Sequence, residues 1–317
     1  MIQIPSEHER ITGMPNKSIR LPNFLIIGAP KAGTTSLYRY LAEHPKVFMS
    51  PLKEPKFFAI EGQDVDYSGP GDDTHEYVTD YETYLSLFDT ATSETALGEA
   101  SPWYLHMRGS AERIHTHIPN VKIVAILRDP VERAYSQFCM HKGYRHEPIS
   151  DFESAWQAEA KRMSDNWSPR WFYRDRGFYY AQLRRYFDIF DKEQIRVYLF
   201  DDLERDSLAV VQDIYEFLGV DSNFFPDTNQ KFNMRPHRSS SGLYAALRWS
   251  DRIRSIATGL ARTPVGSRLA RIGTKLDSQK RVSLATATRR RLIEEYRDDI
   301  VQLSGLIDRD LSHWLKT

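Results

Sequence analysis

The stretch Phe24–Pro45, "FLIIGAPKAGTTSLYRYLAEHP", restricts the fold more than any other part of the chain. An apolar run ends in Gly28, a short loop leads to Gly33, and two threonines open a segment with Leu37, Tyr40 and Leu41 at helical spacing. The run reads as a buried strand and the segment as a helix that Thr34 or Thr35 can cap. Such a strand–loop–helix makes an anion cradle. The first backbone N–H groups of a helix have no partner within it, and its dipole favours negative charge there. In nucleoside triphosphate loops a lysine directly follows the second glycine. Here that position is Thr34, and the lysine, Lys31, stands two residues before Gly33.

The displaced lysine changes what the loop can hold. The backbone and the hydroxyls of Thr34, Thr35 and Ser36 remain for one terminal phosphate, while Lys31 approaches from the loop entrance, beside a bridging or leaving oxygen. No Asp-ended apolar strand of the magnesium-binding type appears where a magnesium partner would be wanted. The strongest strand, "VKIVAIL" (Val121–Leu127), ends in Arg128 before Asp129. That pattern suits a nucleotide bound without metal, its phosphates neutralised by Lys and Arg.

Around this loop, strands are expected at Phe24–Ile27, Val47–Met49, Ala96–Glu99, Val121–Leu127 and Ile195–Phe200. Helices are expected at Thr34–Glu43, Tyr81–Phe88, from Pro130 onward, Ile149–Met163, Phe178–Phe190 and Ser207–Leu218, the last closed by Gly219. Asp64–Thr74 reads as a surface loop, and the aromatic "RWFYRDRGFYY" (Arg170–Tyr180) as core or as an acceptor wall. Alternating strands and helices, with a strand as continuously apolar as Val121–Leu127, give the fold class as α/β: a three-layer α/β/α arrangement around a central parallel sheet.

With 317 residues, residues 1–22 are expected to be a flexible lead-in and 23–317 one domain. Lys+Arg and Asp+Glu both total 43, so net charge points to no nucleic-acid partner. The single cysteine, Cys139, excludes an internal disulfide and a Cys-based zinc cage, and it fits a reducing compartment. No apolar run approaches the roughly 18–20 residues of a membrane span, and the N-terminus lacks a signal-peptide core, so the chain is expected in the cytoplasm. One segment stands apart: 238–291 carries eleven Arg and two Lys against two Asp. Solvated helix faces, an anionic-substrate surface, and contact with an anionic lipid or acidic partner are its three readings.

"PKAGTTSL" (Pro30–Leu37) with "LRDPVERAYSQF" (Leu127–Phe138) resembles the sulfotransferases that use 3′-phosphoadenosine 5′-phosphosulfate (PAPS), closest to the heparan-sulfate-type and bacterial carbohydrate or metabolite branch. "KEPKFF" (Lys53–Phe58), "GEASPWYL" (Gly98–Leu105), "GFYYAQLRRYFDIFDKEQIRVYLFDDL" (Gly177–Leu203) and "LSGLIDRDLSHWL" (Leu303–Leu315) extend the resemblance over nearly the whole chain.

The resemblance implies that Lys31, Ala32, Gly33, Thr34, Thr35 and Ser36 hold the 5′-phosphosulfate, with Lys31 on the bridging oxygen. It implies that Arg128 and Ser136 bind the 3′-phosphate, and that "FNMRPHRSSSGL" (Phe232–Leu243), through Arg235, Arg238 and Ser239, closes over it. The cysteine-flanked version of that loop found in heparan sulfate enzymes is absent. Glu54 matches the family's carboxylate base. Lys56 stands where relatives often carry His; Lys53 and Lys56 would hold Glu54 ionised or contact the sulfonate. His106 and His141 are rival bases, because His titrates nearest neutral pH.

The expected reaction is in-line sulfuryl transfer to a hydroxyl of a carbohydrate, glycolipid or secondary metabolite, without a required metal. The aromatic helices permit a monomer or a homodimer. Two other readings stand beside it: a metal-dependent P-loop kinase or NTPase, and a non-catalytic anion-binding protein.

Overall fold

In the computed structural model the described residues are 20–72, 77–228 and 284–317. They fall into two compact units, one of 20–66, 77–128 and 181–228, the other of 67–72, 129–180 and 284–317.

The first unit is built on five parallel strands in the order β2-β3-β1-β4-β5, with β1 Phe24–Gly28, β2 Val47–Met49, β3 Ala96–Ala100, β4 Lys122–Leu127 and β5 Ile195–Leu199. β1 lies in the middle, with Phe24 opposite Gly98 on β3 and Lys122 on β4. Every residue of β1 and β3 is buried, as strands covered on both faces must be, which is why they read as apolar runs without alternation. The helices of this unit are α1 (Thr34–Leu41), α2 (Phe57–Ile60), α3 (Tyr81–Ser86), α4 (Trp103–His106) and α5 (Ser110–His117). After β5 come α10 (Phe200–Arg205) and α11 (Ser207–Leu218). The αL cap at Gly219 ends α11 as expected.

The second unit holds α6 (Pro130–Gly143), α7 (Phe152–Gln157), α8 (Glu159–Ser164) and α12 (Thr286–Ile307), and α9 (Tyr179–Phe187) crosses the division between the units. Asp129 caps α6 by accepting from the amides of Val131 and Glu132, and Pro130 fills the first helical position, where no N–H is needed. The single helix expected over Ile149–Met163 is two, α7 and α8, parted by a turn at Ala158. The break falls where the Glu159 carboxylate turns away to accept the amides of Arg174 and Asp175. The loop expected at the surface is partly interior: Asp72 is buried and accepts from the amide and hydroxyl of Ser168. The aromatic stretch Arg170–Tyr180 packs as core, with Trp171, Tyr173 and Tyr179 all fully buried. Among the described residues no helix is long and apolar enough to cross a membrane. Most of 238–291 lies outside the described residues.

Candidate active site

The loop after β1 takes its shape from two glycines. A Cβ on Gly28 would stand 2.8 Å from Leu105 Cβ, so only glycine lets the chain leave the strand beneath α4. Gly33, at φ 99°, is the residue that starts α1, and a Cβ there would meet Leu203 of α10 at 2.7 Å. The expected threonine cap therefore does not form: Gly33 occupies the cap position and no side chain caps the helix. The amides of the first turn, at Thr34, Thr35 and Ser36, are left to bind an anion. Lys31 sits between the glycines at φ 67°, in the left-handed region that lysine seldom adopts.

Arg128, at the end of β4, reaches this loop directly. Its Nη1 donates to the Lys31 carbonyl at 3.1 Å, and the guanidinium lies 4.6 Å from the centre of the Phe200 ring. Phe200 also borders Gly33, so the first residue of α10 touches both the loop and its arginine.

A second strained turn approaches the same end of the sheet. Glu54 and Lys56 both have φ 63°. The Glu54 amide donates to the Ala100 carbonyl at 3.2 Å, and the Lys56 amide to Ser101 Oγ at 3.0 Å, so the last residues of β3 hold the turn. Ser101 in turn donates its amide to the carbonyl of Ile26 in β1 at 3.0 Å. The loop bearing Lys31 and the turn bearing Glu54 thus share an anchor at the C-terminal edge of a parallel sheet, where ligands of α/β proteins bind. The Glu54 carboxylate is half-exposed and paired with Lys53 at 2.5 Å. Lys56 is 7% exposed, its ammonium 4.6 Å from the Trp103 ring centre and 4.7 Å from that of Tyr77. Two aromatic faces stabilise the cation where water has been removed.

Beneath the turn lies Glu99, fully buried in β3. Tyr84 Oη donates to its Oε1 at 3.5 Å, and its Oε2 has no hydrogen-bond partner among the described residues. Burial pushes this carboxyl up to about 7; the Tyr104 and Ser101 hydroxyls pull the other way, and the Glu54 charge adds to the rise. Glu99, Ser101 and Phe200 were not singled out as site residues. A glutamate inside the apolar strand ALGEA was the one available signal.

Ser136 lies nearly two turns into α6, half-buried, in the second unit. His141, in the same helix, is fully buried: Tyr173 Oη lies 2.9 Å from its Nδ1 and the Trp171 ring packs on it, a setting that fixes a core histidine. His106 closes α4 half-buried. Arg235, Arg238 and Ser239 lie outside the described residues. Among the described residues, no group of three or more His, Cys, Asp or Glu side chains is placed to hold a metal ion.

A family model described as "Sulfotransferase family" matches residues 22–226, the span that contains the loop, the Glu54 turn and Arg128. The chain belongs to the sulfotransferase family. A solved sulfotransferase from Alicyclobacillus acidocaldarius is similar to it at 33% identity with a TM-score of 0.75, covering 94% of this chain and all of that one. The mouse bifunctional heparan sulfate N-deacetylase/N-sulfotransferase 4 is 26% identical over 98% of this chain and 33% of its own length. Human carbohydrate sulfotransferase 15 is 26% identical over 63% of this chain and 44% of its own. The chain thus spans about a third of the length of the heparan sulfate relative. The α/β fold around a parallel sheet agrees with this membership.

Proposed function

We propose that this sulfotransferase moves the sulfuryl group of PAPS to a hydroxyl of a carbohydrate or metabolite acceptor, a carbohydrate being favoured by its similarity to heparan sulfate and carbohydrate sulfotransferases. The observation that carries the reading is the hydrogen bond from Arg128 to the Lys31 carbonyl. It draws a second cation to the mouth of a glycine-bounded loop whose helix has no side-chain cap. The residues present suit a phosphosulfate: first-turn amides for its oxygens, Lys31 for the bridging oxygen, and Arg128 for a further phosphate.

In this mechanism the acceptor oxygen attacks sulfur while the bond from sulfur to the bridging oxygen breaks. The electron pair leaves with 3′-phosphoadenosine 5′-phosphate (PAP), where Lys31 neutralises it, and the hydroxyl proton passes to Glu54. Glu54 is half-exposed and so reachable by an acceptor. The Lys53 ammonium pairs with it at 2.5 Å, and the buried Lys56 lies with its ammonium over the Trp103 ring. Positioning and fixed charge supply the acceleration, with no covalent intermediate on the protein. Ser136, and Arg235, Arg238 and Ser239, remain assigned to the 3′-phosphate by resemblance alone.

Calorimetric titration with PAP, beside AMP and Mg-ATP, tests the donor. Micromolar or tighter binding of PAP that survives EDTA and is lost in Arg128→Ala is the expected result. Preference for Mg-ATP would overturn it in favour of a kinase or NTPase. PAP binding with full retention of turnover in Glu54→Gln would remove Glu54 as the base.

A further inference from the structure

Three non-glycine residues of the candidate site, Lys31, Glu54 and Lys56, hold left-handed backbone conformations. Such conformations cost on the order of 1–3 kcal/mol each and persist only where surrounding bonds over-determine them. Two of the bonds that hold the Glu54 turn run to the end of β3 and the residue after it. One is backbone to backbone, from the Glu54 amide to the Ala100 carbonyl. The other depends on a side chain, from the Lys56 amide to Ser101 Oγ.

Ser101 is fully buried, and its hydroxyl oxygen accepts from Lys56 while its amide holds Ile26 of β1. A buried hydroxyl whose own backbone is tied into the sheet presents its lone pair from a fixed place, and so holds a strained amide in one position.

We propose that Ser101 is a positioning residue for sulfuryl transfer: through its bond to the Lys56 amide it locks the Lys53–Lys56 turn so that the Glu54 carboxylate stands in register with the loop that carries Lys31. Ser101 does not touch the reacting atoms. The inference rests on the reading of Glu54 as base and deepens it.

The test measures PAP release from PAPS, with desulfated heparan sulfate oligosaccharide as acceptor and water as background, and PAP affinity by calorimetry. Ser101→Ala is expected to lower kcat about 10–100-fold, as a misplaced catalytic group does. PAP affinity should stay within about two-fold, since the donor loop keeps its own glycines and amides. Ser101→Thr, which keeps a hydroxyl at this position, should keep kcat within a few-fold of wild type. In a Glu54→Gln background Ser101→Ala should add no further loss, because it acts through Glu54. A Ser101→Ala protein with unchanged kcat would overturn the proposal. So would parallel loss of kcat and PAP affinity, or additive losses in the double variant, which would make Ser101 merely structural. Failure of the wild-type protein to bind PAP is a separate outcome; it overturns the functional reading and this inference with it.

Discussion

Arg128 donates one guanidinium N–H to the Lys31 carbonyl and lays its face on Phe200, which sets a planar, permanently charged fork beside the phosphate loop. Arg128→Ala should weaken PAP binding about 10–100-fold, the range for loss of charge-assisted hydrogen bonds, and Arg128→Lys should fall between, keeping the charge without the fork. Calorimetry on both variants checks this. Glu99 makes a different prediction, because burial raises its carboxyl to about 7 from an ordinary value of 4.5. Between those two values the unfolded chain has released a proton that the folded chain still holds. Stability from this group is therefore complete below the lower value, falls as pH rises through the window, and is flat above it. The whole effect is at most about 3 kcal/mol. Melting temperatures at pH 5 and pH 8 should differ less in Glu99→Gln than in wild type. Glu159, also raised to about 7 by burial, is unchanged in both proteins and drops out of the comparison.

The loop and α1 behave as one element, because Gly33 both ends the loop and starts the helix against Leu203. Gly33→Ala places a Cβ 2.7 Å from Leu203 Cδ2 in a backbone conformation that alanine resists. It should lower the melting temperature by a few degrees, consistent with a cost of about 1–3 kcal/mol, and weaken PAP binding. Adding Leu203→Ala relieves the contact but not the backbone strain, so it should restore only part of the loss. At this scale the sequence was readable wherever periodicity or a glycine spoke. β1, β2, β4 and α11 stand within a residue or so of their expected bounds, because continuous apolar runs and Gly219 mark them locally. The helices α4 and α5 and the 22-residue α12 were not read, since their buried faces are set by partners distant in sequence. Tyr296 of α12, for example, is buried with its hydroxyl donating to the Arg174 carbonyl and its ring against Gly177. In the site, Lys31, Glu54 and Arg128 were legible from spacing and resemblance. The bond from the Lys56 amide to Ser101 was not, because it joins residues far apart in sequence that no local pattern links.

At the scale of the molecule, the two units are stabilised by different means: a parallel sheet with fully buried inner strands β1 and β3 in one, and a polar network in the other. In the second unit Arg162 pairs with Glu147 at 2.7 Å, both side chains nearly sealed from water, while Tyr173 donates to the other Glu147 oxygen at 2.6 Å. Glu147→Ala leaves the arginine charge buried without its partner, and should cost about 3–5 kcal/mol. Chemical denaturation should show it as an earlier midpoint, with the double variant Glu147→Ala/Arg162→Met less affected than the single one. The strand order carries a further consequence, for the birth of the protein rather than its chemistry. Phe24 of β1 pairs with Gly98 and Lys122, and β5 joins β4 only at Ile195, after all of 129–180 has been made. Once made, β1 must therefore wait, apolar and without these partners, for strands far downstream, and closing such long loops is slow. A nascent chain halted before β4 contains every residue of the phosphate loop yet has no Ile126 carbonyl to receive the Ala29 amide, and so no finished loop. Donor binding should thus appear late in synthesis and all at once, and cells that make this protein quickly should need a chaperone to shield β1 in the interval.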